Sequence, residues 1–308
     1  MTGFRVLKSG ILALVQDTGR LGYQHLGVTR GGPLDARSAY WANRLLDNEA
    51  NAAVLEITAG GLEMEAQTQT MVALAGGDLN LTVNGEPQVP WRSFWVRQGD
   101  RLKFGTPRYG FRAYLAVSGG FTTQPILGSR ATVMRDRLGG VHGQGRPLQD
   151  DDYLPCKHLS EEGISRQIPQ NYLPQLGKQI ILHLLPGYQQ HEFSKEAWKQ
   201  VFQQEFTLSN DSNRMGARLT GEPIAVPERE FLSEGISYGA VQVPANGQPI
   251  IMLDDRQTLG GYPKLGNILP LDGFQLAQCA PGAKIRFKPI HLAEAQQQMR
   301  RYLRFFGL

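Results

Sequence analysis

Along most of the chain, apolar residues come in short runs or alternate with polar ones, and each run stops at Gly, Pro, Asn or Asp. "FRVLKSG", "ILALVQD", "LEMEA", "TMVALAGG", "LNLTVNG", "SFWVRQG", "DRLKFG", "RAYLAVSGG", "KQIILHLLPG", "GAVQVP", "PIIML" and "AKIRFKP" all have strand length and strand patterning. They predict a mainly β protein. Within "LNLTVNGEPQ", Asn84-Gly85 predicts a tight hairpin, because both central residues of a type I′ turn need positive φ.

Three stretches change period. "ARSAYWANRLLDN" follows Asp35 as an N-cap and places Ala39, Ala42, Leu45 and Leu46 on one stripe. "KEAWKQVF" follows Ser194, with Phe193 and Trp198 spaced as a hydrophobic staple. The C-terminal "HLAEAQQQMRRYLRFF" puts Leu292, Ala295, Met299, Tyr302 and Leu303 on one face, as a docked terminal helix would. Between residues 145 and 175 the chain is polar, proline-punctuated and without period, which predicts a boundary. The expected organisation is an N-terminal β lobe over 1–150 with a helical insertion, a linker over 151–175, and a C-terminal β lobe with a terminal helix over 176–308.

Composition narrows the partners. A chain of 308 residues can bury one large or two medium cores. Its net charge of +4 comes from scattered bases with no long basic run, which fits an anionic small ligand better than nucleic acid. The N-terminal apolar stretch is too short for a signal h-region or a membrane span, so a cytoplasmic protein without membrane association is expected. The 2 cysteines, Cys156 and Cys279, make no disulfide framework and are expected as free, buried thiols.

The two halves share fragments in the same order. "GYQHLG" at 22–27 matches "GYPKLG" at 261–266, "PLD" recurs at 33–35 and 270–272, and "GDRLKF" at 99–104 parallels "GAKIRF" at 282–287. Two related lobes are expected from this, with "QDTGRLGYQHLG" and "DDRQTLGGYPKLG" as equivalent loops lining a cleft.

Several chemistries lack their motif. There is no P-loop, the histidines show no H-x-H or H-E-x-x-H spacing, and "CKH" at 156–158 is too isolated for zinc, so no metal site is expected. "GISYG" at 235–239 fits the nucleophile-elbow pattern, yet "AVQVP" behind it reads as a strand where that elbow needs a helix; Ser237 is set aside. Two polar clusters remain. "LDDRQTLGGYPKLG" at 253–266 follows the apolar "PIIM", and "SNDSNRMGARLTG" at 209–221 can cap a turn and present a guanidinium to an anion.

"VQDTGRLGYQHLGVTRGGPLDARSAYWANRLLDN", "LEITAGG", "RAYLAVSGGF", "SNDSNRMGARLTG", "SEGISYGAVQVPANGQPIIML" and "DRQTLGGYP" together resemble the biotin-dependent carboxyltransferase family, which includes KipA, allophanate hydrolase subunit 2 and the C-type subunit of 5-oxoprolinase (PxpC). The likeness runs over essentially the whole chain in the expected order. It implies cyclophilin-like β-barrel lobes with a few peripheral helices, and a stable complex with a KipI-like (PxpB-like) B-type subunit.

Three activities occur under that resemblance. One is ATP-dependent opening of 5-oxoproline, with Mg2+ and a PxpA-like A-type subunit that completes glutamate formation. Another moves CO2 from carboxybiotin to an amide nitrogen, with biotin on a separate carrier. The third is KipA-like antagonism of a kinase inhibitor. Absence of a biotin carboxylase segment and of an M-K-M biotinylation tripeptide favours the first.

Both enzymatic readings build negative charge on an amide oxygen and need donors and a cation there. Arg256, Gln257, Thr258, Tyr262 and Lys264 are the candidate donors, with Gly260 and Gly261 permitting close backbone approach. Asn213 and Arg214 would hold a phosphate or the substrate carboxylate, and Asp255 would orient a base or a magnesium ion. Asp17, Arg20, Tyr23 and His25 would line the other side of the cleft or contact the B-type partner.

Overall fold

The computed structural model describes residues 2–157, 163–177 and 179–308; His158 of "CKH" lies outside them. The chain divides into two compact units, Met1–Leu21 with Arg30–Leu176, and Gly22–Thr29 with Gly177–Leu308.

The first unit contains β1 (Gly3–Ser9), β2 (Leu12–Gln16), β3 (Val54–Thr58), β4 (Leu62–Ala66), β5 (Thr70–Asp78), β6 (Thr82–Val83), β7 (Glu86–Pro87), β8 (Arg92–Val96), β9 (Arg101–Lys103), β10 (Tyr109–Val117) and β11 (Tyr153–Pro155), with helix α1 (Ala36–Arg44). They form a six-stranded sheet, β11-β1-β4-β9-β6-β7, and a five-stranded sheet, β2-β3-β10-β5-β8.

Strand β5 shows why "TMVALAGG" is apolar throughout. All nine of its residues are buried. Val72 and Leu74 pack into the main core with Phe4, Leu55, Met64 and Phe104, while Ala73 and Ala75 face α1 through Ala39 and Ala42. Successive side chains point to opposite faces, so a strand covered on both sides loses its polar alternation. Asp35 caps α1 by accepting the Ser38 amide at 3.1 Å, and Asn84 (φ 52) with Gly85 (φ 89) make the expected hairpin between β6 and β7.

The second unit contains β12 (Gln179–Pro186), α2 (Lys195–Gln203), β13 (Phe206–Leu208), β14 (Gly216–Thr220), β15 (Glu234–Gly235), β16 (Ala240–Gln242), β17 (Ile250–Met252), β18 (Leu259–Gly260), β19 (Lys264–Ile268), α3 (Pro270–Leu276), β20 (Lys284–Pro289) and α4 (Leu292–Phe306). Seven of these strands close a barrel in the order β12-β19-β16-β17-β14-β13-β20. An odd ring cannot alternate direction throughout, and the one parallel seam is β12 with β20. Leu182, Phe206, Leu219, Val241, Ile251, Leu265, Ile285 and Phe287 are buried in this unit, with the Phe206 and Phe287 rings edge to face at 5.6 Å.

A mainly β chain with four helices and a closed barrel is the expected fold class among the described residues. Ser194 caps α2 by accepting the Ala197 amide at 3.1 Å, and the Phe193 and Trp198 rings meet at 6.3 Å. On α4, Ala295 and Met299 pack against Leu269 and Ile290, and Tyr302 reaches Phe274, whereas Leu292 and Leu303 stay exposed. Both cysteines are free and buried, and burial pushes the Cys156 thiol up to about 11.

Three expectations change. "GYPKLG" is not all loop, because β19 begins at Lys264, while "GYQHLG" is a 3-10 turn at Gln24–Leu26 inside the segment that belongs to the second unit. The two stretches are therefore not equivalent loops of two lobes. "GARLT" within the supposed Asx-rich turn is strand β14, since Ala217 and Leu219 alternate inward. Helix α3 lies outside the predicted elements: it is short, carries Gly273 in its middle, and is signalled only by Pro270 in the first turn.

Candidate functional site

Three elements of the second unit meet at Lys264. It is the first residue of β19, and its ammonium forms an ion pair with the Glu234 carboxylate on the short β15–β18 ribbon, where Glu234 lies opposite Gly260. The third element is the turn at Tyr188–Glu192. There Gln189, itself buried, uses its side chain as a hub: its Oε1 accepts the Lys264 amide at 2.7 Å, and its Nε2 donates to Glu234 Oε1 at 2.8 Å and to the Tyr188 hydroxyl at 3.0 Å. The Lys264 ammonium stands 6.0 Å from the centre of the Tyr188 ring, at the outer limit of a cation–π contact.

The electrostatics assign protonation states. Desolvation pushes the Glu234 carboxyl up, but hydrogen bonds from Lys264 and Tyr188 and the Lys264 charge outweigh it, leaving the carboxyl below its ordinary range. Burial first, then the hydrogen bond to Glu234, raises the Tyr188 phenol. Near neutral pH Glu234 is thus a carboxylate and Tyr188 a neutral phenol. Such a cluster can offer the Lys264 side chain to a developing oxyanion, whereas the one Tyr188 proton is already donated to Glu234. The lowered Glu234 is a weak general base at that pH and serves better as an anchor for the ammonium.

The other nominated residues fall elsewhere. Arg214 grips Asp255 with two hydrogen bonds of 2.9 Å, both side chains being 3% exposed. The Arg214 fork is turned onto a carboxylate of its own chain, and each Asp255 oxygen accepts from it. Arg256 is likewise buried, donating to the Ile236 and Leu253 carbonyls at 2.9 and 3.1 Å, while its own carbonyl accepts the Thr29 hydroxyl. Asn213 is an Asx-turn residue whose Oδ1 accepts the Met215 amide at 2.8 Å.

Gln257 and Thr258 are half-buried, and the Thr258 carbonyl accepts the Ile236 amide. Gly260 and Gly261 do permit a close approach, but the neighbours are Ile236 Cδ1, 2.6 Å from where a Gly260 Cβ would sit, and the Phe231 carbonyl at 3.0 Å from that of Gly261. Tyr262 is half exposed and lines a separate surface hollow of about 370 Å3 with Arg218 and Gln248.

In the first unit, the buried Asp17 accepts the Gly19 amide at 3.0 Å, the Ser129 hydroxyl at 2.5 Å and the Arg130 amide at 2.6 Å, so its carboxylate organises a turn. Arg20 is 1% exposed and donates to the Ile126 and Ser129 carbonyls. Tyr23 and the exposed His25 sit on the 22–29 segment of the other unit. Asp17 and Arg20 thus belong to the first unit, and Tyr23 and His25 to the second.

Of the sequence candidates, Lys264 alone enters the polar cluster, and its companions Glu234, Gln189 and Tyr188 were missed. Glu234 was visible only as the acid in "SEGISYG", with nothing local to tie it to a lysine thirty positions on. The elbow reading fails as expected: Gly239 leads into β16, and the Ser237 hydroxyl accepts the Asn267 amide at 2.7 Å.

A closed barrel in one unit and two sheets in the other recur among known proteins. Residues 26–289 match the model of the carboxyltransferase domain, subdomain A and B, and the chain belongs to that family. It is 36% identical to the C-type subunit of 5-oxoprolinase from Escherichia coli (strain K12), covering 98% of this chain and 96% of that protein. The crystal structure of Kluyveromyces lactis urea carboxylase superposes with a TM-score of 0.91 at 28% identity, covering 99% of this chain and 29% of that one. That of TTHA0988 superposes with a TM-score of 0.84 at 37% identity, and this chain spans 56% of its length.

Proposed function

We propose that this chain is the C-type subunit of a cytoplasmic, ATP-dependent 5-oxoprolinase that opens the cyclic amide of 5-oxo-L-proline to L-glutamate, releasing ADP and phosphate. The observation that carries the reading is the end-to-end likeness to a protein of that name, 36% identical over 98% of this chain. A protein named as one subunit among several works in an assembly, so the reading includes a B-type and an A-type partner. ATP, with Mg2+, supplies the phosphoryl group that activates the amide oxygen.

In this reading Lys264 faces that oxygen as negative charge develops on it. Glu234 and Gln189 hold it in place. Preorganised donors are effective here because no reorientation is needed when charge appears. No step is routed through Asp255 or Arg214, which hold each other as a buried pair.

A second reading has its own support: carboxyl transfer from carboxybiotin to an amide nitrogen fits the family name and the likeness to urea carboxylase. The same cluster would polarise the acceptor amide. Purified complex of the chain with its B-type partner, supplemented with the A-type partner, distinguishes the two. ADP release that depends on 5-oxoproline and yields glutamate is the expected result. Its absence, together with CO2 transfer from carboxybiotin to an amide, would replace the first reading by the second.

A further inference from the structure

The first unit carries a second polar hollow, unrelated to any residue assigned above. It has a volume of about 550 Å3 and is lined by Met134, Arg137, Gln144, Gly145, Arg146 and Pro147. Two guanidinium groups with no carboxylate among the lining residues make an anion site by charge alone. Several exposed arginines of this unit are used differently: Arg5, Arg101, Arg108 and Arg166 pair with acids. Arg137 and Arg146 are exposed and have no ion pair among the described residues. The acid beside them in sequence, Asp136, pairs with Arg135.

Backbone conformation adds an independent observation. Val133 and Leu138 close a small hairpin by exchanging both amide–carbonyl hydrogen bonds, and Arg137 sits in its turn at φ 56. A side-chain-bearing residue rarely occupies that left-handed region, where glycine is the usual choice. The loop that follows is tied down, since the Gly140 amide donates to the Arg130 carbonyl and the Gly145 amide to the Gly139 carbonyl. Next to it, Arg130 Nε is buried with no hydrogen-bond partner among the described residues.

The rest of the lining is not that of a simple inorganic-ion site. Met134 and Pro147 present apolar surface, and Gln144 an amide that can both donate and accept. Paired arginines suit phosphate oxygens bidentately, and an apolar wall with an amide suits an organic group attached to them. We infer that this hollow in the first unit binds a nucleoside polyphosphate, with Arg137 and Arg146 on its phosphates. The inference rests on the ATP-dependent reading above and gives the nucleotide a place.

Calorimetric titration of the full chain with MgADP, and separately with inorganic phosphate, tests it. Arg137→Gly is the informative variant, because glycine accepts the left-handed turn and the fold is kept; Arg146→Gln is the second. MgADP is expected to bind the wild type well above inorganic phosphate, with affinity falling at least tenfold in each variant. Unchanged affinity in both variants, phosphate binding as tight as MgADP, or no MgADP binding would each overturn the site. Measuring 5-oxoproline-dependent ADP release by the complex in parallel separates the failures. Retained turnover with an unresponsive hollow removes only the site, whereas predicted binding without turnover removes the functional reading and leaves the site.

Discussion

Two ion pairs in the barrel unit draw one member each from the same stretch, residues 253–266, and they do opposite things. Arg214–Asp255 is closed: two 2.9 Å bonds, both side chains 3% exposed, every oxygen engaged. Lys264–Glu234 is open: the lysine is 11% and the glutamate 36% exposed, with a phenol and an amide arranged around them. Residue type is the same in kind, cation with carboxylate. Solvent access and unspent hydrogen-bonding capacity separate a strut from a group that can meet a ligand.

The largest effect should come from breaking the strut. Asp255→Ala removes the carboxylate from a buried, doubly hydrogen-bonded ion pair, which costs about 3–5 kcal/mol. Urea denaturation of the full chain would read this as a lowered midpoint, and a loss under about 1 kcal/mol would show that the pair is not structural. Turnover comes next. Lys264→Ala in the assembled complex should lower 5-oxoproline-dependent ADP release at least tenfold, about 1.4 kcal/mol of barrier.

A smaller stability effect sharpens the contrast. Glu234→Gln should change stability by about 1 kcal/mol or less, because a partly exposed pair is worth little in water. Its pH signature is finer still. Glu234 is lowered from 4.5 in the folded state, so its contribution is present above about that pH and is lost as pH falls through the lowered value. Asp272 works in the other direction. Burial raises it from 3.8 despite the hydrogen bonds from His183, so its ionisation lowers stability as pH rises through the raised value. Acid titration of stability should therefore flatten below about pH 4.5 in Glu234→Gln, and the slope of opposite sign should vanish in Asp272→Asn.

Much of the fold was legible because burial writes a local pattern. β4 reads "LEMEA" as inward Leu62, Met64 and Ala66 with two outward glutamates, and the helix caps Asp35 and Ser194 are single residues acting on amides three positions on. What failed was non-local. β14 is two inward residues among polar ones, and α3 is too short to show a period. The candidate site was legible in Lys264 but not in its companions, since Gln189, Glu234 and Lys264 meet only through barrel closure and a two-stranded ribbon. Nothing in the sequence distinguished Asp255, whose oxygens are spent, from Lys264, whose ammonium lies at the edge of solvent. The stretch "LDDRQTLGGYPKLG" held both.

In the proposed reaction the open pair, Lys264–Glu234, is the working one. Its most direct test is 5-oxoproline-dependent ADP release by the assembled complex carrying Lys264→Ala, with urea denaturation confirming that the fold persists. A drop of at least tenfold in a folded complex is the predicted result. Wild-type turnover from that complex would contradict it and remove Lys264, and with it the cluster, from the chemistry.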